Sequence, residues 1–178
     1  MNKLHYVLAP MMVIGSLVSQ QSYSATSAAL NINGKVISAT CAIDINGVSD
    51  ATVTLPATLA SSFSSTNQVR ENAPFTINIT NCTDVSPGAL TLTLTRNTPT
   101  SASVFEVPNI GGSAREAALA IYDTAGVVRF NGTTAVAAVP DLNAGKATLN
   151  YSVKYLSIDY PVNAGTVKGS LKVELTYK

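Results

Sequence analysis

Residues 165–178 read GTVKGSLKVELTYK, with Val167, Leu171, Val173, Leu175 and Tyr177 on one parity and Lys168, Lys172, Glu174 and Thr176 on the other. A period of two with one apolar and one polar face is the signature of a half-buried β-strand. No residue follows Lys178 to supply a neighbouring strand, so the outer N–H and C=O groups of this strand are expected to be satisfied from elsewhere. Either the edge is left open, which β-proteins avoid, or the molecule is built to receive a strand. The second reading is adopted.

The other terminus reads as a secretion signal. Lys3 supplies a positive start, an apolar stretch runs from about Tyr6 to Val18, and Ser22, Ser24 and Ala25 offer small residues for cleavage after Ser24 or Ala25. The apolar run is too short and interrupted for a membrane anchor, so no stable membrane insertion is expected. Removing residues 1–24 takes away Lys3 and the only histidine, His5, and leaves ten basic and ten acidic residues. A chain of balanced charge is poorly suited to nucleic acid or to capture by anionic membranes. Roughly 150 remaining residues suit one domain with a real core.

Two cysteines, Cys41 and Cys82, lie in segments patterned as strands. In an exported chain a disulfide between them is the expected state. Closing a loop of about 40 residues would contribute on the order of 4 kcal/mol in the chain-entropy model. Without a mature histidine, neither a metal site nor a catalytic thiol has partners, and no metal or other cofactor is expected.

Strand patterns recur along the chain: about Leu30 to Cys41, Ala51–Leu55, Pro74–Cys82, Ala89–Thr95, Ala118–Tyr122, Val127–Phe130, Ala147–Ile158 and the terminal strand. Asp123–Gly126 reads as a hairpin turn. Seven or eight short strands separated by turn signals predict an all-β Greek-key sandwich of immunoglobulin type. The stretches at 60–67, 97–103 and 108–113 read as linkers within one domain. Aspartates and glutamates fall mostly at turns, no G-x-S-x-G or phosphate-binding loop is present, and no mature histidine can act as a base. The chain is not expected to be an enzyme.

Taken together, the two ends resemble a known family. A signal peptide, a short alternating extension, the stretch NGKVISATC up to the first cysteine, a second cysteine closing PFTINIT, Gly165 fourteen residues from the end and Tyr177 next to last resemble the subunits of chaperone–usher fimbriae of type-1 kind. The resemblance covers the whole mature chain. It implies an incomplete immunoglobulin-like Greek-key sandwich that lacks its last strand and is completed by a donated one. Residues 34–178 would form the pilin domain and 25–33 a donor-strand extension. Ala28, Leu30, Ile32 and Gly34, all of one parity, would enter a neighbour's groove; Leu30 and Ile32 also read as the opening of the first core strand. Gly165, Val167, Leu171, Val173, Leu175 and Tyr177 would line the acceptor groove that binds a chaperone, although Gly165 also reads as a turn glycine.

The implied partners are neighbouring subunits joined head to tail, a periplasmic chaperone and an outer-membrane usher, and the implied destination is a fimbria at the cell surface. The implied function is that of a structural subunit polymerising by donor-strand exchange into an adhesive fibre. A minor adaptor or a tip adhesin binding a host receptor is the alternative. Family adhesins carry an additional lectin domain and lack a free donor extension, which counts against the tip reading.

Overall fold

The structure is a computed structural model and describes residues 41–97 and 102–178. The expected signal segment, the expected extension with Ala28, Leu30, Ile32 and Gly34, and the strand expected from Leu30 up to Cys41 lie outside the described residues, apart from Cys41 itself. Among the described residues eight strands make two antiparallel sheets: β1 (Ala42–Ile45), β2 (Val69–Thr80), β3 (Leu90–Arg96), β4 (Ala117–Asp123), β5 (Gly126–Val127), β6 (Thr134–Ala138), β7 (Ala147–Ser157) and β8 (Leu171–Tyr177). The larger sheet has the order β1-β2-β7-β4-β5 and the smaller one β6-β3-β8. The only helical element among the described residues is a 3-10 turn at Ala60–Ser62.

The core lies between the sheets, as the period of two demands. Phe75, Ile77 and Ile79 of β2, Leu90, Leu92 and Leu94 of β3, and Tyr151 and Val153 of β7 are all buried, while the threonines between the leucines of β3 are turned outward and partly exposed. Phe75 and Tyr151 are direct cross-strand partners, and their rings stack with centroids 5.6 Å apart. β2 begins earlier than the alternation around Phe75 suggests and runs through Pro74. Thr76 donates its N–H to Asn46 Oδ1, so beyond the register shift at 70–73 the even-numbered positions of β2 face away from β7. At Pro74, β1 has already ended, and the missing N–H breaks no ladder bond.

Two strands were not expected. β1 starts just past Cys41, where the anticipated first strand was to stop. β6 reads TAVAA, and alanine marks neither face. The expected strand at Ala51–Leu55 joins no ladder among the described residues, although its exposure alternates as a strand's should. The Asp123–Gly126 turn is as expected: Asp123 Oδ1 accepts the N–H groups of Ala125 and Gly126 at 2.7 and 2.9 Å. Cys41 and Cys82 are disulfide-bonded, joining the residue before β1 to the segment after β2.

At the end of β3, Arg96 is 3% exposed. Its guanidinium donates to the carbonyls of Ser103, Glu106 and Gly132 and lies 4.7 Å over the Phe130 ring. Burial lowers its pKa, and the Glu106 charge works against that shift. The neighbouring Val107 exchanges both backbone hydrogen bonds with Leu119, so Arg96 anchors a segment that becomes part of a groove floor.

Tyr151 makes a testable pH contribution. Burial, helped by the charge of Asp123, pushes its hydroxyl up to about 12, against about 10 in an unfolded chain. A folded-state value above the unfolded one gives stability that is complete below pH ~10 and is lost as pH rises through ~12. The loss should be about 2–3 kcal/mol. Tyr155 is also raised by burial, so the urea midpoint should fall between pH 8 and pH 11.5 in both proteins, and further in the wild type than in Tyr151→Phe; equal falls would contradict the Tyr151 contribution.

Candidate functional site

Among the described residues β8 is an edge of the smaller sheet and pairs with β3 alone. Lys178 donates to the carbonyl of Ala89, so the alternation of an antiparallel ladder commits the backbone of residues 172, 174 and 176 to β3. The N–H and C=O groups of Leu171, Val173, Leu175 and Tyr177 therefore face the outer edge, where no described residue pairs with them. The side chains of Leu171, Val173 and Leu175 point into the sandwich and pack against the core. On the opposite face Lys172 and Glu174 form an exposed ion pair at 2.7 Å, worth little in water.

The unbroken strand expected from Gly165 onward is a ladder only over Leu171–Tyr177. Upstream, an irregular segment takes the place of β3. Lys168 C=O accepts from Ile110 N–H at 2.7 Å and Thr166 C=O from Ala114 N–H at 3.0 Å. Lys168 N–H donates to Asn109 Oδ1 at 2.8 Å, and Thr166 N–H to Ser113 Oγ at 3.0 Å. Residues 166 and 168 are thus turned to the 109–114 segment, which directs the backbone groups of Val167 to the same outer edge as those of β8. The close approach requires glycine: a Cβ on Gly165 would overlap the backbone of Ala114, and one on Gly112 would overlap Thr166 O.

Across from this edge lies the 51–55 segment, with Val53 and Leu55 packed against the core. Between the two walls the surface sinks to an apolar floor that includes Phe75, Val107, Leu119 and Ile121. Three depressions follow one another along it. One of about 440 Å³ lies between β1 and Leu171–Val173, a central one of about 220 Å³ beside Gly169, and one of about 500 Å³ between Leu55–Phe63 and Val162–Lys168. The first two share Ala51 and Leu171, and the last two share Leu55, so they form one groove. Its central part is lined by no titratable side chain; it is suited to holding an apolar strand and has no group placed for proton transfer. The position of 51–55 explains its missing ladder: it stands across the groove from 169–171 and does not reach it.

The fold therefore brings Val167, Leu171, Val173 and Leu175 together along the groove, with Gly165 and Tyr177 at its ends. Tyr177 is 40% exposed, and its hydroxyl accepts the Cys41 N–H at 2.9 Å, linking the end of β8 to the start of β1. Sequence reasoning missed the 51–55 wall, Gly169, Val107 and the clip made by Asn109 and Ser113. Of these only Ala51–Leu55 carried a signal, its alternation.

The fold and the site together define an all-β immunoglobulin-like sandwich of two antiparallel sheets with a groove of apolar central floor along its last strand. Residues 30–178 match the model of the fimbrial protein family; the chain belongs to that family. No curated protein matches it at a comparable level. Among solved structures it is similar to a subunit of a chaperone–usher pilus studied for rod uncoiling, with TM-score 0.60 and 19% identity, covering 96% of this chain and 100% of that one. It is also similar to the P pilus rod subunit PapA, with TM-score 0.56 and 17% identity over 78% of this chain and 99% of that one. A third match is the CupB6 tip adhesin of Pseudomonas aeruginosa, with TM-score 0.53 and 17% identity over 64% of this chain. The chain spans 32% of the length of that adhesin. At these identities the likeness is one of fold.

Proposed function

We propose that this fimbrial subunit polymerises by donor-strand exchange, its groove taking the N-terminal extension of the next copy after a periplasmic chaperone has filled it and an outer-membrane usher has released it. The observation that carries the reading is the outer edge of Val167 and Leu171–Tyr177, whose odd-numbered residues direct backbone groups to the gap and, at Leu171, Val173 and Leu175, side chains to the core. Residues 25–34 match it: Ala28, Leu30, Ile32 and Gly34 share one parity, so one face of an extended strand would meet the floor. Backbone bonds give such an exchange its affinity and alternate side chains its register. Leu30 and Ile32 at ~1.5–3 kcal/mol each, with a smaller share from Ala28, contribute on the order of 5 kcal/mol, a large fraction of the whole stability of a domain.

A second copy is the better source of this strand. Cys41 sits beside Tyr177, and the link from Gly34 to Cys41 spans at most about 25 Å, whereas the edge back to Gly165 is about 40 Å long. Within one chain the extension could therefore lie only parallel to β8; another copy's extension can lie antiparallel, the more stable pairing. Donor and acceptor surfaces differ, so the contact is heterologous and propagates into a filament. An adaptor or tip subunit would carry the same groove, and the roles part on which copies accept its extension.

Val173→Asp places a carboxylate in the groove wall where an occupant would seal it from water. Co-expressed with the cognate chaperone and usher, this variant should fail to co-purify with the chaperone and be lost from the periplasm. Undiminished co-purification would contradict the groove as the chaperone's binding surface.

A further inference from the structure

The groove's wall is built in two parts. β8 is backed by β3, while Thr166 and Lys168 are hydrogen-bonded, among the described residues, to the irregular segment Asn109–Ala114. Within that segment the Asn109 side chain makes three hydrogen bonds. Its Nδ2 donates to Ala114 O at 2.9 Å and to Thr166 O at 3.3 Å, and its Oδ1 accepts from Lys168 N–H at 2.8 Å. Ser113 adds a reciprocal pair: its Oγ accepts from Thr166 N–H at 3.0 Å, and its N–H donates to Thr166 Oγ1 at 3.1 Å. One asparagine thus bonds the loop to itself and to two alternate residues of the wall, as a neighbouring strand would.

We infer that Asn109, with Ser113, is a positioning residue that lengthens the acceptor edge past the end of β3, so that the groove grips the C-terminal part of an incoming antiparallel strand as well as its middle. The clip holds the backbone of Thr166 and Lys168 from behind and leaves Val167 in line with Leu171. The depression of about 500 Å³ between Leu55–Phe63 and Val162–Lys168 lies along this part of the wall. It takes side chains of the donor that follow residue 33. The inference rests on the donor-strand reading: it concerns how far along the chain that donor is held.

Two fluorescently labelled peptides test it, one of residues 25–33 and one of residues 25–38, each bound to the full mature chain carrying Leu30→Asp to suppress its own donation. The readout is the rate at which each label is released on adding unlabelled peptide. With the clip intact, the longer peptide should leave at least 30-fold more slowly than the shorter one. In Asn109→Ala and in Ser113→Ala that ratio should fall at least fivefold, because only the longer peptide touches the clipped wall. Ser113→Ala removes a single hydroxyl and carries the test alone if Asn109→Ala does not refold. A ratio near one with the clip intact, an unchanged ratio in the variants, or equal acceleration of both peptides would overturn the inference while leaving donor-strand binding in place. Binding of neither peptide would overturn both.

Discussion

A mature chain lacking residues 25–33 is expected to accept a strand and be unable to donate one. Alone it should form no oligomers; mixed with intact chain it should occupy one end of each polymer and stop growth there. The effect should be large. Losing the burial of Ala28, Leu30 and Ile32, on the order of 5 kcal/mol, corresponds to about three to four decades in the association constant. Gel separation of undissociated polymers should show the ladder of the intact chain shortening as the truncated copy is added. Mixed polymers of undiminished length would show that the joint does not use this segment.

The second large effect concerns the disulfide. Cys41 and Cys82 are 41 residues apart, and replacing both with serine should cost about 4 kcal/mol through the freed unfolded chain. The same change loosens the start of β1, where the Cys41 N–H meets Tyr177 Oη, so the end of the groove is disturbed together with the core. With the 25–38 peptide present throughout, the urea midpoint should fall by about 2 M, taking a slope of about 2 kcal/mol/M. A fall of less than 0.5 M would mean that the ladder between β1 and β2 holds this corner without the covalent link.

Much of the sandwich was legible because one face of a strand is packed and the other wet. β3, β7 and β8 alternate for that reason, and the apolar parity of each is the one that meets the core. β6 escaped notice because three of its five residues are alanine, and β1 because the expected strand ended at the cysteine beside it. Ala51–Leu55 was expected as a strand; its exposure alternates as one, but a ladder needs a neighbour, and its side of the groove has none among the described residues. The terminal motif was legible in its side chains and not in its support. The bonds that back Thr166 and Lys168 join residues 52 to 59 positions apart, and NIGGSA carries no pattern that announces them. Gly165 read equally as a turn; its contact with Ala114 shows it is needed for close packing of two backbones.

The most direct test is to trap the joint itself. Copies carrying a photo-crosslinker at position 30 and copies labelled with heavy isotopes, each otherwise intact, are polymerised together, irradiated and digested. Donor-strand exchange predicts cross-links from position 30 to the peptide containing Leu171–Tyr177, half or more of them joining a light copy to a heavy one at equal mixing. Cross-links confined to a single copy, or absent from that peptide, would contradict it.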